Sequence, residues 1–134
     1  MKKMLVIDTS VYITYCTHNK LYRLADAVVT YDLAVFVNSY LLSELERNIP
    51  GVSKVPGIKA SHLIAQISGF TTFVETTPAF NQSPDPKDNF LFDIALQTGS
   101  EIIVTQEKLL LGFAASPVAI HNLKWFKENY PVPL

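Results

Sequence analysis

Short strand-like runs alternate along this chain with segments in which apolar residues recur at helical spacing. The runs cover residues 4–7, 34–37, 71–75, 102–104 and 118–120, and they are rich in β-branched, aliphatic or aromatic side chains. Continuous apolar runs of this length are typical of strands buried on both faces, which occur mainly in parallel sheets. The alternation predicts an α/β fold with a central, mainly parallel sheet and helices on both sides.

The predicted helices fill the intervals between these runs. The helical pattern over residues 11–30 is interrupted around His18, so this segment forms either two helices or one bent helix. Asn38 or Ser39 caps the next helix, which Pro50 and Gly51 are expected to end. Further helices are predicted at 58–68, ending at Gly69, at 85–98, ending at Gly99, and at 122–129, with loops at 52–57 and 77–84 and a weak helical turn after residue 107.

The length and composition limit the class of protein. A chain of 134 residues is about the size of one domain, so residues 1–134 are assigned to a single domain. Eleven Lys and Arg against twelve Asp and Glu give a net charge of -1, which provides no overall attraction to nucleic acid or to an anionic membrane. The single cysteine, Cys16, cannot form an internal disulfide. Asp8 interrupts the apolar run near the start, unlike the apolar region of a signal peptide, and no stretch has the length of a membrane span. We therefore expect a cytoplasmic protein without a membrane partner.

Four acidic residues fall near the predicted carboxyl ends of strands. Asp8 directly follows the first strand, Glu44 lies in the helix after the second, Asp88 begins the helix before the fourth, and Glu107 follows the fourth. Ligands of parallel α/β sheets collect at this edge. Carboxylates that share a site raise each other's pKa unless a cation compensates them, and oxygen ligands suit Mg²⁺ or Mn²⁺ rather than zinc.

Ordinary structural roles compete with this interpretation. Asp8 is equally well explained as the N-cap of the helix that follows it. Glu46 lies as near the apolar stripe of its helix as Glu44 does, so geometry alone does not choose between them. Glu107, taken singly, is typical of a first-turn glutamate that the helix dipole favours.

The segment DPKDNF contains a second pair of acids. Asp85 fits an N-cap with Pro86 at the first helical position. On a helical wheel Asp88 lies beside the inward apolar face, whereas Asp93 falls nearly opposite the middle of the apolar arc. His18, His62 and His121 share no metal-ligand spacing and are taken as structural, and Cys16 as a core residue.

Three blocks of the sequence resemble those of PIN-domain proteins: VIDTSVYI, LLSELERNI and DPKDNFLFDIALQTGSEIIVTQEKLLL. The similarity extends over nearly the whole chain, and within the family it is greatest to bacterial toxins of toxin-antitoxin systems, VapC-like in general type. The resemblance implies a PIN-like three-layer α/β/α sandwich and an Mg²⁺- or Mn²⁺-dependent ribonuclease.

The resemblance also assigns roles to individual residues. It carries the first three metal-binding acids onto Asp8, Glu44 and Asp88, which decides between Glu44 and Glu46. The small residue two positions after the first acid falls on Ser10. The family's VTGD turn falls on residues 104–107, VTQE, so that Gln106 replaces a glycine and Glu107 replaces the fourth aspartate.

The implied function is metal-dependent hydrolysis of RNA phosphodiester bonds. The catalytic residues would be Asp8, Glu44, Asp88 and Glu107, which would also be the metal ligands. Ser10 and Thr105 would orient the carboxylates or the attacking water. An RNA substrate, an antitoxin protein and a homodimer are the partners that the resemblance implies. Basic residues outside the acidic pocket are either RNA backbone contacts or solvated surface: Lys20, Arg23, Arg47, Lys54 and Lys59.

Two other classes of function compete with the nuclease. The altered VTQE turn is compatible with a catalytically impaired PIN-like module that only binds RNA or protein. An aspartate after the first strand is also the phosphoryl acceptor of some phosphotransfer enzymes. Haloacid-dehalogenase-like phosphatases need a second aspartate where this chain has Ser10, and response-regulator receivers need an acidic pair that MKKMLVID lacks, so this alternative ranks below the nuclease.

Overall fold

The structure, a computed structural model, describes residues 2–52 and 59–133. Five strands lie within these ranges and form one sheet. The strands are β1 (Lys3–Ile7), β2 (Leu33–Val37), β3 (Thr72–Phe73), β4 (Ile102–Val104) and β5 (Ala119–His121).

Seven α-helices accompany the strands in the described ranges. They are α1 (Thr9–Thr17), α2 (Leu21–Thr30), α3 (Ser39–Val52), α4 (Ala60–Phe70), α5 (Asn89–Thr98), α6 (Lys108–Leu111) and α7 (Leu123–Asn129). A short 3-10 turn, Pro86–Asp88, leads directly into α5. None of the described helices is long and apolar enough to cross a membrane.

The sheet has the strand order β3-β2-β1-β4-β5, and all neighbouring strands are parallel. Leu5 of β1 lies opposite Val35 of β2 on one side and Ile102 of β4 on the other. Right-handed crossovers to the two sides of β1 place α1 to α4 on one face and α5 and α6 on the other. The predicted three-layer α/β/α fold with a parallel sheet is confirmed.

The centre of the core is the apolar end of β1. Leu5, Val6 and Ile7 are completely buried, because both faces of this central strand are covered by helices. Phe92 of α5 is also completely buried and stacks on Phe80 of the loop before the 3-10 turn, with ring centroids 4.4 Å apart. The core thus fixes the end of β1, and with it the position of the residue that follows.

The segment over residues 11–30 forms two helices, one of the two alternatives that the sequence left open. The break lies at Asn19, whose backbone is left-handed with φ 54°. Asparagine tolerates this conformation better than most residues, and it cannot continue a right-handed helix. Cys16 is buried in the core, as predicted.

The predicted end of α3 is wrong, because the helix continues through Pro50 and Gly51 to Val52. Proline removes one backbone hydrogen bond and crowds the preceding turn, and α3 ends two residues after Pro50. The rest of the predicted loop, 53–57, lies outside the described residues. This range includes Lys54, and Ile58, the predicted start of the next helix, also lies outside. Helix α4 also runs one residue beyond Gly69, where it was expected to end.

Around the fourth strand the predictions agree with the structure to within a few residues. Gly99 ends α5 with a left-handed φ of 77°, as expected of a helix C-terminus. The first turn of the predicted helix is 3-10 rather than α, and the Asp85 side chain caps it by accepting a hydrogen bond from the Lys87 N–H at 3.2 Å. Strand β3 is shorter than predicted, and β5 begins one residue later.

The placement of Asp93 on the polar side of its helix is wrong. Asp93 is buried with 6% of its surface exposed, and its Oδ1 accepts hydrogen bonds from the backbone N–H groups of Ala79 at 3.1 Å and Phe80 at 2.8 Å. The loop before the 3-10 turn folds over this face of α5, so the carboxylate satisfies loop N–H groups that would otherwise be buried without partners. Asp93 therefore fixes the loop to the helix.

Candidate active site

The strand order reverses direction between β1 and β4. The chain leaves β1 toward β2 on one side of the sheet and leaves β4 toward β5 on the other, so the loops after β1 and β4 diverge. Asp8 and Thr105 are the first residues after these two strands, and the Asp8 N–H donates to the Val104 carbonyl at 2.8 Å. This is the position where open parallel sheets bind ligands.

Asp8 is a buried carboxylate that two hydroxyl groups hold in place. It is 3% exposed, and its Oδ2 accepts hydrogen bonds from Thr105 Oγ1 at 2.7 Å and Ser10 Oγ at 3.0 Å. Asp8 occupies the N-cap position of α1, but its side chain makes no capping hydrogen bond. Burial raises the pKa of Asp8, and the two hydroxyl donors oppose that rise. Side-chain capping therefore does not account for this aspartate.

Asp88 lies at the junction of the 3-10 turn and α5. It is 5% exposed and makes no side-chain capping hydrogen bond to α5. Burial raises the pKa of Asp88 to about 7, with further contributions from the negative charges of Asp8, Asp85, Glu107 and Glu44. The three other acids singled out in the sequence therefore lie near enough to Asp88 to disfavour its ionised form.

Glu44 reaches the same region from α3. It is partly buried, and burial and then the charge of Asp8 raise its pKa, while Arg47 and Lys87 act in the opposite direction. Glu46, the alternative on the same helix, is exposed and does not line the groove that Glu44 lines. The structure thus brings Glu44, and not Glu46, to the acidic edge.

Glu107 is the most exposed of the four acids. It is the N-cap residue of α6, without a side-chain capping hydrogen bond, and its backbone N–H donates to Thr105 Oγ1 at 3.0 Å. Its charge contributes to the raised pKa values of Asp8 and Asp88. Glu107 therefore faces the buried acids, although its side chain lies at the solvent edge.

An open groove of about 1040 Å³ lies over these acids. Glu44, Glu107 and Ser10 line it, together with the basic residues Arg47 and Lys87. Its aromatic lining residues are Tyr40, Phe80 and Phe90. The groove therefore combines carboxylates, cations and aromatic rings, which are the groups that contact a charged, ring-bearing polymer such as a nucleic acid.

Sequence reasoning missed part of this groove. Lys87 was considered only as part of a capping motif, yet it projects over the acidic edge, where Asp85, Asp88 and Glu107 raise its pKa. Tyr40 was not singled out, although it precedes Glu44 by one helical turn and therefore lies on the same side of α3. That spacing was the available signal.

The donor set fits a hard divalent cation. The four acids supply only oxygen atoms, and within residues 2–52 and 59–133 no Lys or Arg forms an ion pair with any of them. No three His, Cys, Asp or Glu side chains of this part of the chain are close enough to form a metal-binding group as they stand. Because uncompensated carboxylates repel one another, we expect these side chains to approach only around a cation.

Comparison with known proteins agrees with this architecture. A family model described as the PIN domain matches residues 4–109. The crystal structure of VapBC2 from Rickettsia felis bound to a DNA fragment from their promoter contains a chain with a TM-score of 0.58 and 12% identity, covering 89% of this chain and 98% of that one. At this identity the similarity shows the fold alone. No curated protein matches the chain.

The fold and the site together define an α/β domain with carboxylates at the switch point of a parallel sheet. The chain belongs to the PIN-domain family. PIN domains are generally nucleases, and PIN nucleases generally use divalent metal ions.

The raised pKa of Asp88 predicts an unusual pH dependence of stability. Between its unfolded value of 3.8 and its folded value of about 7, the folded state retains a proton that the unfolded state has lost. With respect to this group, stability is therefore highest below about pH 4. It falls as the pH rises from about 4 to about 7, by on the order of 4 kcal/mol in all, and levels off above 7. Urea unfolding of the metal-free protein between pH 5 and 8 measures this fall.

Asp88→Asn keeps the shape of the side chain and removes its titration, so this variant should lose most of that pH dependence. Asp26→Asn is the matched control, because Asp26 is exposed on α2 and should leave the profile of the wild type unchanged. Parallel stability profiles for the wild type and Asp88→Asn would contradict the prediction.

Proposed function

We propose that this PIN-domain protein is an endoribonuclease that depends on Mg²⁺ or Mn²⁺ and hydrolyses RNA phosphodiester bonds. The observation that carries the proposal is that Asp8, Glu44, Asp88 and Glu107 lie within electrostatic reach of one another beside the switch point of the sheet. These four acids come from four separate parts of the chain, and two of them are buried. Two of these carboxylates are buried, and neither has a basic partner among the described residues. Burial of such charges costs free energy, which a bound cation would offset.

The four carboxylates would hold the metal, with Asp8 and Asp88 at the buried side and Glu44 and Glu107 at the groove. A divalent cation bound there supplies charge for the reacting phosphate and lowers the pKa of a bound water. Both hydroxyl donors to Asp8 use Oδ2, and no side chain in the described ranges donates to Oδ1. Thr105 and Ser10 therefore orient Asp8 while they leave its second oxygen available.

The groove also supports single-stranded or looped RNA as the substrate. Tyr40 is 57% exposed, and its ring stacks on Phe90 with centroids 6.5 Å apart and 27° between the planes. An exposed ring backed by a second, buried ring is a platform on which an unpaired base can stack. Arg47 and Lys87 at the same groove would contact phosphates next to the stacked base.

RNA cleavage by the purified protein is the direct test of the proposed activity. Purified protein should cleave single-stranded RNA in Mg²⁺ or Mn²⁺ and not in a chelator. Asp8→Asn and Asp88→Asn should each lower kcat/KM by about 100-fold or more, because each removes a metal-binding charge worth several kcal/mol in the transition state. Thr105→Val should lower it by about 10- to 100-fold, because the carboxylate it orients stays present.

Glu44→Gln and Glu46→Gln form a matched pair on one helix, and only the first should impair cleavage. Calorimetric titration with Mn²⁺ should show binding that Asp8→Asn weakens. RNA binding without cleavage in either metal would contradict the enzyme and support the PIN-like binding module instead. The absence of Mn²⁺ binding by the wild type would contradict the metal site.

Substitution of Tyr40 tests the stacking platform. Tyr40→Ala should raise KM for single-stranded RNA by about 5- to 100-fold, since base stacking on an aromatic ring contributes about 1–3 kcal/mol. Tyr40→Phe retains the ring and should behave as the wild type. Tyr22→Ala is the control, because Tyr22 is 62% exposed on α2 and lies outside the groove. Equal KM values for Tyr40→Ala and Tyr22→Ala would exclude stacking at this position.

We further propose that the protein is the toxin of a toxin-antitoxin pair, with a separate antitoxin protein as its partner and a homodimer as its assembly. Three observations support this role: the resemblance of the three sequence blocks to VapC-like toxins, the PIN-domain match and the fold shared with a chain of VapBC2. RNA cleavage in the cell would then stop growth.

Induced expression in bacteria should therefore arrest growth, and Asp8→Asn expressed to the same level should not, because it lacks the proposed metal ligand. Colony counts after induction measure the effect, and immunoblots confirm equal protein levels. Equal growth arrest by the wild type and Asp8→Asn would show that any toxicity is independent of the acidic site.

A further inference from the structure

A second cavity, distinct from the acidic groove, opens between the α1–α2 junction, α7 and the segment after α7. Its volume is about 360 Å³, within the usual size of ligand pockets. The ionisable side chains that line it, apart from two tyrosines, are all basic: His18, Lys20, Arg23 and Lys127. No carboxylate side chain of the described residues lines this cavity, which we call the basic cavity.

The cations of the basic cavity are not neutralised by the described parts of the chain. The ion pairs found within residues 2–52 and 59–133 use four other lysines, Lys2, Lys3, Lys87 and Lys124. Lys20, Arg23 and Lys127 form none there. In a chain with a net charge of -1, three such cations at one concave site are a local attraction for an anion.

The walls of the basic cavity are built from packed residues. Tyr15 is 7% exposed, and Lys127 Nζ lies 5.7 Å from the centroid of its ring, which places the ammonium group over a fixed aromatic surface. Tyr130 packs edge-on against Tyr31, whose hydroxyl donates to the Pro131 carbonyl and ties the segment after α7 to the end of α2. The cations therefore surround a formed site and are not scattered over a flat surface.

The two cavities are neighbours on the surface. Thr14 of α1 lines both the basic cavity and the acidic groove, so only the width of this helix separates them. A flexible strand that lies in the acidic groove can pass over α1 and place later phosphates in the basic cavity. The acidic groove repels phosphates wherever no metal is bound, so cations at a nearby site would hold the strand without opposing the chemistry.

We propose that the basic cavity binds backbone phosphates of single-stranded RNA outside the cleavage groove. The inference rests on the proposed nuclease function for the identity of the polyanion. Arg23 and Lys127 contribute the main charges, and Lys20 and His18 form the rim. Lys20 and Arg23, which the sequence analysis named as possible RNA contacts, thus lie at one site. Lys127 was not among those residues, and it adds a third cation to the site.

The test measures RNA binding separately from cleavage. Labelled single-stranded RNA of about 12 nucleotides, long enough to extend past one groove, is titrated with Asp8→Asn protein in EDTA at several salt concentrations. Adding Arg23→Gln and Lys127→Gln together should raise Kd by about tenfold or more. It should also reduce the slope of log Kd against log salt by about 1.4, since each contact to single-stranded RNA contributes about 0.7.

Lys2→Gln with Lys124→Gln is the matched control, because it removes the same charge from exposed positions outside both cavities. Equal Kd values and slopes for the two double variants would overturn the proposal. It would also be overturned if the Arg23 and Lys127 variant bound RNA normally but no longer bound a partner protein. Thermal unfolding verifies that both double variants are folded.

In otherwise wild-type protein with metal, the Arg23 and Lys127 variant should raise KM and retain kcat within about twofold to threefold. If Asp8→Asn abolishes cleavage but the Arg23 and Lys127 variant has the KM of the wild type, the nuclease function is supported and this binding site is refuted. RNA binding that depends on the basic cavity without any cleavage would instead support this site and refute the nuclease.

Discussion

The hydrogen bond from Thr105 Oγ1 to Asp8 Oδ2 joins the two strands on which the site depends. Asp8 follows β1 and Thr105 follows β4, so a bond of 2.7 Å between them requires these strands to be adjacent, parallel and in register. Thr105 is completely buried, which leaves its hydroxyl no alternative partner in water. The same oxygen accepts the N–H of Glu107, so one hydroxyl group positions both a buried acid and an exposed one.

The distribution of charge follows from that arrangement. A buried carboxylate is costly, and Asp8 and Asp88 lie within electrostatic reach of each other and of two glutamates. The chain could have neutralised them internally, but within the described ranges no lysine or arginine forms an ion pair with any of the four acids. Lys20, Arg23 and Lys127 are instead gathered in the basic cavity. Negative charge at the sheet edge and positive charge beside α1 are thereby kept apart by one helix.

The sequence predicted the fold well because its signals were local and consistent. Short apolar runs and a helix-ending glycine at 99 fixed the order of elements, and the parallel sheet followed from them. Sequence also placed Asp8 and Asp88 near the edge. It could not choose between Glu44 and Glu46, since that choice depends on how α3 is rotated against the sheet. It misplaced Asp93, because a loop that covers a polar helix face leaves no periodic signal.

Glutamine at position 106, where the VTGD pattern has glycine, fits the turn after β4 without a left-handed backbone. Among the described residues other than glycine, only Asn19 and Asp32 have positive φ, so the backbone at 106 does not need a glycine. The Gln106 N–H donates to Ser10 Oγ at 3.2 Å, and its side-chain amide donates to Ser10 O and Thr14 Oγ1. Glycine could make only the first of these bonds.

The Gln106 side chain therefore fastens the turn that carries Glu107 to the first two turns of α1. Ser10 at one end of this contact donates to Asp8, and Thr14 at the other lines both the acidic groove and the basic cavity. A glycine at 106 would keep only the backbone bond to Ser10, whereas the glutamine side chain adds two further hydrogen bonds to α1. The longer glutamate side chain thus extends from a backbone that both Gln106 and Thr105 hold in place.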